Sequence, residues 1–161
     1  LLSRDMGLMA YHLPLDAHPT LGNSAVLATE LEMTAIVPFA YHKGSLLGIT
    51  GTLDLPRKDL LARLTRLSGP TLGTLPHGAE SVRTVGGDGS FALSEAVLAG
   101  CDTFITGEMN GPAQYIAQEE GVNFIALGHE RSEQFGVKAL AAYCTQQLHL
   151  ETKLFLFDFQ A

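Results

Sequence analysis

Two side chains four residues apart, His129 and Glu133, carry the clearest chemical signal in this sequence. They follow an apolar run, Val122 to Leu127, that reads as a buried strand, and they open a periodic segment, Gln134 to Leu148, that reads as a helix. At that spacing both side chains project from one helical face, one turn apart. An imidazole nitrogen and a carboxylate so placed can hold one metal ion, or two adjacent ones. The plainer alternative is a solvated pair in which an acidic residue in the first turn complements the helix dipole. Two donors make no metal site, so partners must come from elsewhere in the chain. The best source is Tyr11 to Pro19, which contains His12, Asp16 and His18.

The elements that must position these residues are those of an α/β chain. Gly7 to Leu13 is expected to be a strand ending at Pro14, with Asp16, His18 and Asn23 in the loop that follows. In parallel α/β sheets ligands gather at the carboxyl ends of strands, where this loop would fall. Asn23 or Ser24 is expected to cap a helix over Ala25 to Glu32. A strand is expected over Ser45 to Thr52. The spacing of Leu60, Leu61, Leu64 and Leu67 after Pro56 predicts a helix that Gly69-Pro70 stops. Thr71 to Gly78 reads as a loop and Ser81 to Val85 as a short strand.

Gly86-Gly87-Asp88-Gly89-Ser90 precedes a helix carrying Phe91, Leu93, Ala96, Val97 and Leu98. Such a turn can present backbone N–H groups to an anion. The full dinucleotide fingerprint and the lysine of a phosphate loop are absent, so a tight turn with Asp88 or Ser90 as cap is the favoured reading. Asp102 to Thr106 reads as a strand, Ala113 to Glu120 as a helix closed by Gly121, and Lys153 to Phe159 as a closing strand. Strand and helix alternate from residue 81 onward, the pattern of α/β proteins.

With 161 residues, 46% hydrophobic and 17% charged, the chain is long enough for one domain with a real core, and no internal boundary is visible. No stretch reaches the ~18 to 20 apolar residues of a membrane span. A net charge of −7 with scattered Lys and Arg argues against a nucleic-acid surface, and an acidic balance is compatible with bound cations. Cys101 and Cys144 lie in apolar helical patterns without metal or redox spacing, so buried thiols in a reducing cytoplasm are expected. The opening Leu1-Leu2-Ser3-Arg4-Asp5 resembles the tail of a helix and has no initiator Met, which gives the expectation of a longer protein whose N-terminal part precedes this chain.

Three stretches, Tyr11 to Asn23, Ala99 to Glu108 and Gly128 to Glu133, together resemble the Nif-three-like proteins, known as GTP cyclohydrolase 1 type 2 homologues. Order and spacing agree nearly end to end. The resemblance implies a layered α/β/α sandwich with mixed sheets and a pair of adjacent divalent metal ions, Zn, Fe or Mn. It also implies a homohexameric ring. The ligand set it implies includes Asp16, His129 and Glu133, with Glu133 able to bridge both ions. It further implies an adjacent His-His pair on an earlier strand, and no such pair occurs in this sequence. His12 and His18 are the candidates for moving protons, although a packed imidazole on its strand is the favoured reading for His12 and a turn residue an equal one for His18. Glu108 reads equally as orienting a ligand or as a solvated carboxylate. His42, His77 and His149 read as surface residues. The expected function is metal-dependent hydrolysis of a small molecule, a purine nucleotide by the family's name. The alternative is a non-catalytic metal-binding or regulatory scaffold forming a ring-shaped oligomer.

Overall fold

Successive residues of a strand point to opposite faces of its sheet, and two interior strands of this protein carry apolar residues on both. In the computed structural model, which describes residues 1–87 and 89–156, β5 (Thr103–Thr106) and β6 (Asn123–Ala126) are buried throughout. Phe104, Phe124 and Ala126 pack into one core, and Ile105 and Ile125 into another on the opposite face. Strands buried on both faces belong to a sheet covered twice. The first face is covered by α4 (Leu93–Leu98) and α5 (Gly111–Glu120). The second is covered by α2 (Asn23–Glu30), α3 (Arg57–Ser68) and α7 (Gln134–Gln147). The result is the expected α/β/α sandwich.

Among the described residues the sheet has six strands. β4 (Ser81–Gly87), β5 and β6 run parallel. The hairpin of β1 (Thr34–His42) and β2 (Ser45–Pro56) joins β4 antiparallel, and β3 (Gly73–Pro76) joins β6 antiparallel at the other edge. The spatial order is β1-β2-β4-β5-β6-β3, one mixed sheet. The β1–β2 turn is Lys43-Gly44, both with positive φ (47° and 94°), as a two-residue hairpin turn requires. Among the described residues no helix is long and apolar enough to cross a membrane.

Several elements follow the sequence pattern closely. α3 buries Leu60 and Leu64 completely and begins just after Pro56. α5 is capped by Asn110, whose side chain accepts from the Ala113 N–H, and is closed by left-handed Gly121.

Others differ. Gly7 to Leu13 is not a strand. Leu8, Met9 and Tyr11 are exposed, no described strand runs alongside, and a strand needs a partner for its ladder. Asp16 therefore sits on a one-turn helix, α1 (Leu13–Asp16), rather than in a loop. Neither Asn23 nor Ser24 caps α2; Gly22 holds that position, because the Asn23 side chain is engaged elsewhere. Thr71 to Gly78 contains strand β3, whose Gly and Pro disguise it and whose edge position tolerates them. Residues 151–156 form no strand, and the end of the expected closing strand, Phe157 to Phe159, lies outside the described residues, as does Asp88.

Candidate functional site

The carboxyl ends of β4, β5 and β6 open together on one side of the sheet. β5 leads into Gly107-Glu108, and β6 leads through Leu127-Gly128 into α6 (His129–Ser132). The ladder persists past the strands: the Leu127 N–H donates to Thr106 O (2.8 Å) and the Gly128 N–H to Gly107 O (3.0 Å). This draws Glu108 and His129 side by side. Gly107 lies under α6, where a Cβ would come within 2.5 Å of Ser132 Oγ and 3.1 Å of His129 Cα. Gly128 turns the chain at φ 100°, a conformation that suits glycine.

His129 is held from two sides. Its Nδ1 lies 2.7 Å from Glu108 Oε1, and its Nε2 lies 3.2 Å from Glu133 Oε1. With Nδ1–H donating to Glu108, Nε2 keeps its lone pair and faces a carboxylate oxygen. Two acceptors at that distance attract only across a shared cation, a proton or a metal ion. The expected one-turn relation of His129 and Glu133 is thus present, although the helix is broken between them: α6 ends at Ser132, and Glu133 joins it to α7.

Asp16 reaches the same cavity from the other end of the sequence. The turn that carries it is closed by Gly22, where a Cβ would run into the carbonyl oxygens of Asp16, His18 and Leu15. Asn23 Nδ2 donates to Asp16 Oδ1 (2.8 Å), and Asn23 Oδ1 accepts from the Gly136 N–H (2.7 Å). Gly136 stands in the first turn of α7, three residues after Glu133. One amide therefore ties the Asp16 turn to the helix that follows Glu133, a link between residues far apart that no local pattern announces.

His12 lies 3.6 Å from Asp16 Oδ2 through Nε2, with its side chain three-quarters exposed, and it lines the cavity; it is neither in a strand nor packed. His18 is not among the lining residues. Its Nδ1 accepts from the Thr20 and Leu21 N–H groups (3.3 and 3.1 Å), the role of a turn residue. His42, expected at the surface, lines the cavity, as do Lys43 and Phe91. The sequence signal for Phe91 was its place just past a glycine turn, where a core position in α4 is the easier reading.

The cavity is about 350 Å³. Its polar residues include Asp16, Glu108, His129 and Glu133, and its walls include Leu27, Met33 and Ile49. Small-molecule sites combine apolar walls with a few convergent polar groups in this way. The donor chemistry fits a divalent cation: carboxylate oxygens, an imidazole nitrogen and a surplus of negative charge. Among the described residues, however, no three His, Cys, Asp or Glu side chains are arranged to hold a cation by themselves. The three expected ligands share a cavity without closing into a cage.

Comparison with known proteins agrees with this architecture. The family model described as Duf34/NIF3 (NGG1p interacting factor 3) matches residues 1–160. A GTP cyclohydrolase 1 type 2 homolog of Deinococcus radiodurans is 39% identical over 146 residues, covering 88% of this chain and 56% of the relative. One from Archaeoglobus fulgidus is 38% identical over 154 residues, covering 94% of this chain and 62% of the relative. The chain thus spans about three-fifths of the length of these relatives. The solved structure of protein ybgI, described as of unknown function, superposes with a TM-score of 0.84 at 32% identity, covering 95% of this chain and 62% of that one. A match across the whole described sheet and site, in sequence and in fold, makes this chain a member of the Duf34/NIF3 (NGG1p interacting factor 3) family.

Proposed function

We propose that the cavity binds divalent metal through Asp16, His129 and Glu133, and that the chain belongs to a metal-dependent hydrolase acting on a small molecule. One observation carries this reading: the His129–Glu133 couple, oriented from behind by Glu108, opens on the same cavity as Asp16. Mixed carboxylate and imidazole donors suit Zn, Fe or Mn. Divalent ions held there would supply Lewis-acid chemistry, lowering the pKa of a coordinated water and polarising a substrate oxygen. The chain's own residues do the rest. Glu108 keeps the His129 ring aimed into the cavity, and Asn23 keeps Asp16 turned towards it. His12, exposed beside Asp16, is placed to pass a proton to solvent. His18 would offer only Nε2 for that task, since Nδ1 serves its turn.

A purine nucleotide is the substrate class suggested by the name of the relatives. A ring-shaped homohexamer in the cytoplasm belongs to the same reading, and exposed Ile36, Val37, Tyr41 and Leu46 on the β1–β2 hairpin support self-association. A second reading is a non-catalytic metal-binding or regulatory scaffold, which would use the same donors without turning over a substrate.

The test is metal affinity by titration with Zn, Mn and Fe(II), and GTP turnover, for the chain and its Asp16→Ala and Glu133→Ala variants. Loss of a ligand is expected to weaken metal binding about tenfold or more and to reduce turnover. Metal affinity and turnover unchanged by either substitution would refute the proposal. Tight metal binding with no turnover would favour the scaffold.

A further inference from the structure

The glycine-rich turn after β4 has no part in the metal chemistry, yet it shapes a separate stretch of the cavity wall. Gly87 ends the strand, and its carbonyl accepts from Ser24 Oγ (3.3 Å). A Cβ on Gly89 would stand 2.7 Å from the Phe91 ring, so a bare glycine is what lets the ring lie against the turn. Phe91 does not enter the core. It is 51% exposed and lines the cavity. Its ring meets the His42 imidazole with centroids 4.8 Å apart and planes 35° from parallel. The next residue, Lys43, opens the hairpin turn, and it is the sole Lys or Arg among the described residues lining the cavity. The β1–β2 hairpin thus brings His42 against Phe91, and Lys43 follows His42 in the chain and lines the same cavity.

We propose that Phe91 and His42 form a stacking platform for a planar aromatic or heteroaromatic ring, with Lys43 receiving an anionic group attached to it. Stacking accepts any ring with a π face, while the lysine selects for negative charge in a cavity whose carboxylates, Asp16, Glu108 and Glu133, would repel it. The volume of about 350 Å³ suits a small molecule. The proposal rests on the same cavity being the substrate site, and it names the class of ligand. It needs no bound cation, so it is tested in EDTA, where failure of the metal reading cannot mask it.

The probe is 2-naphthalenesulfonate, followed by its fluorescence in a chain without tryptophan. Guanosine 5′-monophosphate and ribose 5-phosphate serve as competitors. Saturable binding is expected, not displaced by ribose 5-phosphate. Displacement by guanosine monophosphate would assign the platform to a nucleotide; binding of the naphthalene alone would assign it to a smaller aromatic acid. Phe91→Ala is expected to weaken binding about 5- to 100-fold. Phe91→Leu, which keeps apolar bulk without a π face, should also weaken it, with thermal unfolding as the check on folding. Lys43→Gln should weaken it about threefold at low salt, a difference that vanishes at high salt. Absence of binding to the parent chain, an Ala or Leu variant that binds as the parent does, or equal displacement by ribose 5-phosphate would overturn the proposal.

Discussion

Replacing Asn23 with alanine removes the one amide that joins the Asp16 turn to α7. Two bonds are lost. Asn23 Oδ1 accepts from the Gly136 N–H, one of the donors left open at the start of α7, where Glu133 makes no side-chain cap. Loss of a cap costs about 1 kcal/mol. Asn23 Nδ2 donates to a part-buried carboxylate oxygen at 2.8 Å, and a bond to a charged group contributes about 1.5 kcal/mol or more. Asn23→Ala should therefore destabilise the chain by about 2–3 kcal/mol, read as a lower urea midpoint at unchanged slope. Asn23→Asp separates the two contributions. It keeps an acceptor for Gly136 but sets a carboxylate against Asp16 Oδ1, turning an attraction into like-charge repulsion. On the proposed metal-binding role of Asp16, both variants should also weaken metal binding, since that carboxylate is no longer held. An alanine variant within about 0.5 kcal/mol of the parent, with metal affinity intact, would refute the view that this residue couples the two halves of the site.

Two further outcomes follow from the interior. Burial, with the negative charge of Asp102 adding to it, pushes the Cys101 thiol up from 9.0 to about 11. The unfolded chain then loses this proton at lower pH than the folded one. Stability should be intact below pH 9 and decline as pH rises through about 11, a slope that Cys101→Ala should reduce in denaturation curves measured across that range. Asn123, 1% exposed, spends its amide fully: Oδ1 accepts from the Gly78 N–H and Arg57 Nη1, and Nδ2 donates to Ala79 O and Thr103 Oγ1. Asn123→Leu leaves several of these groups without partners and should cost about 3 kcal/mol or more in chemical denaturation.

The expected hydrogen-bonding orienter, Glu108, does contact His129, because two adjacent parallel strands end in register and present their next residues together. The expected strand before Pro14 fails for the converse reason: apolar composition is a local property, whereas pairing needs a second strand beside it. By the same local logic Phe91 reads as one residue of the helix after the glycine turn and His42 as a surface residue, and both belong to the cavity wall.

Periodicity marks the α/β class, since buried parallel strands and one-sided helices each leave a mark on consecutive residues, whereas the layered sandwich is what the family resemblance implies. Spacing alone also pairs His129 with Glu133, because a helical turn is a short-range geometry. The meeting of Asp16 with His129 is implied by the family resemblance, and what only the tertiary structure decides is the meeting of Asn23 with Gly136 and of Phe91 with His42. Those meetings depend on the order of strands in the sheet and the crossings between them. Neighbouring residues in the chain carry no record of either.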